Sequence, residues 1–254
     1  MKRFTVGDIH GGYIPLLQCL ERAGFDHNND QLICLGDIAD GWPFVYEVME
    51  LLMSIPNCVV IKGNHDEWLL DWLRDYSKMP QIWIEQGGRN SLKSYNGKPE
   101  ADLKRHKDYV ESWPYYFLSD TDQVFLHGGI WPRESLITEM DKDVIVWNRD
   151  LAKLAMMGHL LEQNKDTNGK IQRTFEYMGI DLKDEKLVPN YKEVYLGHST
   201  VSRVSKNPIH FSNVILMDTG GGWEGVLSIM DIDTKEVWQS DPVEDIYKGV
   251  RPRN

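Results

Sequence analysis

The chain has 254 residues, 41% hydrophobic and 26% charged, a composition that excludes a disordered polymer and allows one sizeable α/β core. Its formal net charge of −11 opposes bulk binding to a nucleic-acid backbone, which basic surfaces drive by releasing counterions, although bound cations would still make a single pocket locally positive. No apolar run approaches the roughly 20 residues that cross a bilayer, and Met1–Val6 leads into a polar motif with no apolar signal core, so a cytoplasmic protein without a membrane partner is expected.

Taken in order, Arg3–Val6 has strand character and meets Gly7-Asp8-Ile9-His10-Gly11. Tyr13, Leu16, Leu17 and Leu20 then fall at helical spacing, with Gly24 as the stop. A second apolar run ends in Gly36-Asp37, and Pro43 is expected to start a helix carrying Phe44, Val45, Val48, Leu51 and Leu52. A third run, 58–62, ends in Gly63-Asn64-His65 and is followed by a Trp- and Leu-rich helix expected over 66–76. Three strands alternating with helices predict a parallel core. Cys19, Cys34 and Cys58 have neither zinc-knuckle spacing nor an even count, and are expected in the core.

From 77 to 122 the pattern loosens around Gly87-Gly88 and Asn96-Gly97, with a helix near 101–112, so a helical cap over about 66–115 is expected. Strand character returns at 123–127, ending in His127-Gly128-Gly129. Helical spacing over 151–163 precedes a polar insertion at about 164–190, which could roof a site. A further strand ends in Gly197-His198, and the apolar runs 213–217 and 226–230 read as antiparallel β structure. No Pro/Ser/Gly-rich linker divides the chain, so 1–254 is read as a single domain.

Asp8 and His10 stand two apart at a strand end and share a face. The same grammar, an apolar run, glycine and a ligand-type residue, recurs at Asp37, Asn64, His127 and His198. Two carboxylates, an amide oxygen and three imidazoles form a mixed nitrogen and oxygen set that suits manganese, iron or zinc better than calcium. Six ligands are too many for one open tetrahedral site but suit two ions sharing a carboxylate, and such a site hydrolyses phosphoesters. Trp68, Trp72 and Trp83 could wall a substrate, although helical spacing favours the core. His106, His159 and His210 are read as structural or surface residues.

These motifs, together with Asp40 and Trp147-Asn148-Arg149, resemble the successive signatures of the calcineurin-like metallophosphoesterases, and within them the phosphoprotein phosphatases of short bacterial and phage lambda type. The resemblance implies two mixed β-sheets packed together and flanked by helices. It assigns Asp8 and His10 to a first metal, Asp37 as bridge, and Asn64, His127 and His198 to a second. It makes His65, oriented by Asp40, the general acid while a metal-bound hydroxide attacks, with Arg149, and Asn64 beside it, on the phosphate. The ions are two divalent or trivalent metals, manganese first and iron or zinc next. The implied reaction is hydrolysis of phosphomonoesters, with phosphorylated serine/threonine proteins or small phosphoesters as substrates. The alternatives are a nucleotide or dinucleoside polyphosphate hydrolase and a catalytically inactive, metal-stabilised binding module. Where the family has Arg after Asp40 and Glu after His65, this chain has Gly41 and Asp66. One phosphate clamp is thus missing, and Gly41→Arg is expected from sequence to restore it.

Overall fold

The computed structural model describes residues 1–132, 141–181 and 186–253. The chain begins β1 (Arg3–Val6), α1 (Tyr13–Ala23), β2 (Gln31–Cys34), α2 (Val45–Met53) and β3 (Cys58–Val60). The helices α3 (Asn64–Arg74), α4 (Gln81–Trp83), α5 (Arg89–Tyr95) and α6 (Glu100–Ser112) follow, α4 passing into α5 through a π-helical turn at Ile84–Gly88. Next come β4 (Tyr116–Leu118), β5 (Gln123–Leu126), α7 (Lys142–Trp147), α8 (Asp150–Glu162) and α9 (Lys170–Tyr177). The remainder is β6 (Glu193–Leu196), β7 (Ile209–Phe211), β8 (Val214–Leu216), β9 (Ser228–Asp231), β10 (Val237–Gln239) and α10 (Val243–Ile246).

Two five-stranded mixed sheets result, one in the order β10-β9-β1-β2-β3 and one in the order β4-β5-β6-β8-β7. As the βα alternation predicts, β1, β2 and β3 are parallel. Strand side chains alternate between two buried faces, which is why these strands read as continuous apolar runs. Phe4, Val6, Leu32, Cys34 and Ile229 face the helices on the outside of the first sheet. Val124, Leu126, Val194, Leu196, Val214 and Leu216 do the same for the second. The residues between them, Ile33, Phe125, Tyr195, Ile215 and Met230, meet in the layer between the sheets, where Phe125 and Tyr195 stack at 4.5 Å.

Some expectations are corrected. The helix expected at Pro43 starts at Val45, because Phe44, at φ −123° and ψ 32°, is the cap whose carbonyl accepts the Val48 N–H at 3.0 Å. The helix expected from 66 starts at Asn64. The 213–217 run is not purely antiparallel, since β8 pairs parallel with β6 and antiparallel with β7. The polar insertion does not roof a site among its described residues: α9 buries Phe175 completely in the second sheet's outer core, 6.1 Å from Phe211. Residues 182–185 of that stretch lie outside the described residues. Cys19 and Cys34 are buried, Cys58 half-buried, and all three are free. His106 is a core residue between Tyr95 Oη, at 2.9 Å, and Glu50. No helix among the described residues is long and apolar enough to cross a membrane.

Candidate active site

All six strand-end residues converge where the carboxyl ends of the parallel strands of both sheets meet. Asp8, His10, Asp37, Asn64, His127 and His198 are each no more than 6% exposed. The glycines that precede several of them are required by close approach. A Cβ on Gly63 would stand 2.2 Å from Asp37 Oδ1, and one on Gly197 would stand 2.3 Å from Asp8 Oδ1. The ligand-type residues themselves bend the chain: His10, Asp37, Asp40 and His198 have φ of 46°, 48°, 69° and 60°. That left-handed region is uncommon for non-glycine residues, although Asn, Asp and His enter it more readily than most, and such strain concentrates at functional sites.

Two of the three ligand-type imidazoles are each oriented by one nitrogen and present the other. His10 Nδ1 lies 2.9 Å from Ala39 O and His127 Nδ1 lies 2.8 Å from Leu35 O. A carbonyl can only accept, so both rings carry the proton on Nδ1 and aim Nε2 inward, the arrangement that prepares histidine to bind a cation. Asp37 Oδ2 stands between them, 3.5 Å from His10 Nε2 and 3.3 Å from His127 Nε2, while Oδ1 accepts the His65 N–H at 3.0 Å. Asn64 Oδ1 is 3.1 Å from His127 Nε2. Asp8 accepts the His198 N–H on both oxygens at 3.0 Å.

The donor set fits two cations. His10, Asp37 and His65 offer donor atoms within 4.8 Å of one another, as do Asp37, His127 and His198, so Asp37 belongs to both groups. In the first, His65 stands where the sequence expected Asp8, which lies 4.0 Å from His10 Nε2, and Asn64 lies beside His127 in the second. His198 Nε2 is buried with no hydrogen-bond partner, a costly state that a cation would relieve. Burial, reinforced by His127, pushes His198 down to about 2, and burial pushes His10 down to about 3 against the opposing pull of Asp37, so both rings are kept neutral. For His127, burial is outweighed by Asp37, which pushes it up to about 9; a cation taken between them would displace that proton. Burial and Asp37 also push Asp218, just outside the ligand set, up to about 6.

His65 is held differently. Its Nδ1 is 2.6 Å from Asp40 Oδ2, and Asp40 is anchored by Trp83 Nε1 at 2.8 Å and Ser91 Oγ at 2.7 Å. Burial lowers the pKa of His65, but Asp37 and the Asp40 hydrogen bond outweigh it and leave it above the ordinary imidazole value. Asp66, where the family has Glu, accepts the N–H groups of Ile38, Ala39 and Gly63 at 2.9–3.0 Å, tying the loop after β2 to the start of α3.

Asp8, His10, Asp37, Asn64, His65 and His198 line a cavity of about 280 Å³ with Trp68, Ile82, Gln86, Trp147, Arg149, Trp223 and Arg253. Arg149 donates to His198 O at 2.7 Å and to Ser199 Oγ at 3.3 Å. The three tryptophans of the sequence reading divide: Trp68 reaches the cavity, whereas Trp72 and Trp83 are buried in the first sheet's outer core. Four cavity residues, Ile82, Gln86, Trp223 and Arg253, were missed by sequence reasoning. The Gly220-Gly221-Gly222 run before Trp223 was the available signal, since a Cβ on Gly222 would lie 2.1 Å from His10 Cδ2. The backbone opposes the expectation that Gly41→Arg restores a clamp. A Cβ at Gly41 (φ +71°) would meet His10 Cβ at 2.8 Å and His10 O at 3.0 Å.

Comparison with known proteins agrees with this geometry. Residues 1–218 match the model of the calcineurin-like phosphoesterases. A symmetrical bis(5'-nucleosyl)-tetraphosphatase of Neisseria meningitidis is 23% identical, the alignment covering 94% of this chain and 95% of the relative. Among solved structures, one described as a candidate diadenosine tetraphosphatase superposes with a TM-score of 0.62 at 18% identity, covering 95% of this chain and 93% of that one. A serine/threonine protein phosphatase of Saccharomyces cerevisiae superposes with a TM-score of 0.55 at 13% identity, covering 99% and 82%. Both structural likenesses concern the fold.

Proposed function

The chain belongs to the calcineurin-like phosphoesterase family, and we propose that within it this protein hydrolyses the phosphoanhydride bridge of dinucleoside polyphosphates. That reading takes the second of the substrates weighed from sequence over the first, a phosphorylated serine/threonine protein. The observation that supports it most is the full-length relationship to symmetrical bis(5'-nucleosyl)-tetraphosphatases. The cavity agrees. Its volume of about 280 Å³ is at or below the low end of small-ligand pockets, roughly 300–1,000 Å³. It accommodates the phosphoryl part of such a substrate and leaves the nucleosides to the rim. That rim is aromatic: Trp147 is 44% exposed, 5.7 Å from Trp68, and offers a face on which a base can stack.

In this proposal Asp8, His10, Asp37, Asn64, His127 and His198 hold two metal ions, with Asp37 shared. Manganese is favoured, then iron or zinc, for a mixed nitrogen and oxygen donor set. Bound there, the pair would supply Lewis-acid charge to the phosphoryl oxygens and an activated water. The chain's own groups do the rest. Arg149 binds phosphoryl oxygens in a geometry a guanidinium fork matches, and Asn64 adds an amide at the same centre. His65, held in one tautomer by Asp40, gives its Nε2 proton to the departing oxygen. Symmetrical cleavage of a tetraphosphate bridge by one water yields two nucleoside diphosphates.

The test is a substrate panel on the manganese-loaded protein, comparing diadenosine tetraphosphate, ATP, a phosphoserine peptide and p-nitrophenyl phosphate, with products resolved chromatographically. The expected result is the highest kcat/KM on the dinucleoside tetraphosphate, with ADP as sole nucleotide product. Preference for the phosphopeptide would return the reading to a protein phosphatase, and no turnover of any substrate at full metal occupancy would favour a binding module.

A further inference from the structure

We propose that the segment Gly249–Arg253 folds back to supply, through Arg253, the phosphate-binding arginine that the Asp37–Gly41 loop lacks, and that Arg253 and Arg149 together select substrates with more than one phosphate. The proposal rests on the reading of this cavity as a phosphohydrolase site.

The segment is seated by specific contacts. After α10, Tyr247 stacks on Trp42 at 4.7 Å and its hydroxyl accepts the Ile14 N–H at 3.1 Å. The Val250 N–H then donates to Tyr247 O at 3.0 Å. Asn90, buried on α5, uses one amide nitrogen to bridge Gly41 O at 2.5 Å and Arg251 O at 2.9 Å. The loop that lacks the arginine is therefore tied directly to the segment that brings one. Gly87 marks the closest approach: a Cβ there would stand 2.6 Å from Gly41 N and 2.9 Å from Pro252 O. With φ +111° it sits where side chains are not tolerated, and any larger residue would push loop and segment apart.

From this seat Arg253 lays its guanidinium over the Trp223 ring, with Cζ 3.1 Å from the centroid. Cation–π stacking fixes the plane of the fork while leaving its N–H edge free to donate. Trp223 in turn packs 4.6 Å from the His10 ring and 6.1 Å from the His65 ring, so Arg253 is attached to the His10 and His65 side of the cavity. Arg149, bonded to His198 O, belongs to the other side. Both line the same cavity, where they repel each other. An anion long enough to reach both relieves that repulsion, whereas a single phosphate, seated on one side, engages both only if their separation is no larger than the phosphate itself. The pair thus favours a phosphate chain over an isolated monoester.

The experiment measures binding of inorganic tripolyphosphate and of inorganic phosphate to the manganese-loaded full chain by calorimetry, alongside kcat and KM for diadenosine tetraphosphate. Arg253→Ala is expected to weaken tripolyphosphate binding about tenfold to hundredfold, the scale of charge-assisted hydrogen bonds. Phosphate binding should weaken much less, and KM should rise more than kcat falls. Arg253→Lys should recover only part of the loss, since it keeps the charge without the stacked fork. Gly87→Ala, which leaves the guanidinium intact but displaces its seat, should reproduce the Arg253→Ala binding defect. Unchanged tripolyphosphate affinity in Arg253→Ala at wild-type metal content overturns the proposal, as does equal weakening for the two anions or failure of the wild type to bind either. A wild type that binds tripolyphosphate through Arg253 yet does not hydrolyse dinucleoside tetraphosphates would overturn the substrate reading and leave the clamp standing.

Discussion

Asp40 and His65 share a hydrogen bond of 2.6 Å in a site where the aspartate is 0% and the histidine 5% exposed. In so enclosed a place the bond fixes the tautomer and contributes to the proton affinity of the ring. Burial lowers the pKa of His65, Asp37 and Asp40 raise it, and the net shift is upward. The acid form is lost as pH rises through that raised value. In Asp40→Asn the supporting charge is gone, so the alkaline limb of kcat on an alkyl phosphomonoester should move to lower pH, with the plateau down by about tenfold. A kcat–pH profile checks this, and an unmoved limb would separate Asp40 from the proton transfer.

Asp37→Asn should reduce the metal content and remove most of the turnover. Asp37 Oδ2 faces His10 and His127 within 3.5 Å, so losing its charge leaves two cations repelling each other without a shared anion. Groups that only support a metal ligand contribute about 10- to 100-fold in affinity or activity, and a carboxylate in direct contact should exceed that. Elemental analysis of the purified variant is the measurement. Two ions per chain with normal activity would show that the carboxylate is not shared.

Gly41→Arg should damage the site, contrary to what motif comparison alone suggests. A left-handed position at φ +71°, with His10 Cβ 2.8 Å from a new Cβ, cannot take a side chain without moving His10. Strain of this kind costs about 1–3 kcal/mol, and here it falls on a proposed metal ligand. The variant should lose thermal stability and manganese affinity together. A lower KM at unchanged Tm would mean that the backbone relaxes and the guanidinium reaches the phosphate.

The metal-ligand candidates were legible in the sequence because they stand at the ends of apolar runs beside glycines, and those glycines are forced by contacts as short as 2.2 Å at Gly63 and 2.3 Å at Gly197; the Asp40–His65 pair came only from the resemblance to the family. The first three strands were legible for the same reason that their two buried faces make them continuous apolar runs. Arg253 was not. It lies more than two hundred positions from Asp37, and no periodicity in Gly249–Arg253 states which cavity the segment crosses. The role of Trp83 was also hidden: its place in the core follows from helical spacing, but that its Nε1 holds Asp40 depends on how α4 meets the loop after β2. Phe175 shows the converse, since α9 is largely exposed and Phe175 is its one buried residue, a single anchor that a polar stretch does not distinguish from its exposed neighbour Tyr177.

Asp66→Ala should unfold the protein more readily without touching any metal ligand directly. Its carboxylate takes three buried backbone N–H groups, of Ile38, Ala39 and Gly63, and alanine leaves all three unpaired. At about 1–3 kcal/mol for each buried unsatisfied donor, partly recovered by water, a loss of about 3 kcal/mol or more is expected. Denaturant unfolding of the metal-free chain would register it. A change under about 0.5 kcal/mol, the size of an ordinary surface substitution, would mean that the loop after β2 is held by other contacts.

His65→Asn separates the substrate classes by their leaving groups. Alkoxide from a phosphoserine is strongly basic and leaves poorly without a proton. A nucleoside diphosphate departs as a phosphate oxygen whose second ionisation lies near about 6, so it needs much less help. General acid catalysis contributes about 10²–10⁴-fold where it is required. The variant should therefore lose most of that range on a phosphoserine peptide, and only about tenfold, the scale of one charge-assisted hydrogen bond, on diadenosine tetraphosphate. p-Nitrophenyl phosphate, with its weakly basic phenolate, should behave like the anhydride. The measurement is kcat on all three substrates at matched metal content. Equal losses throughout would take the proton-donating role from His65 and leave its side chain a part in positioning the phosphoryl group.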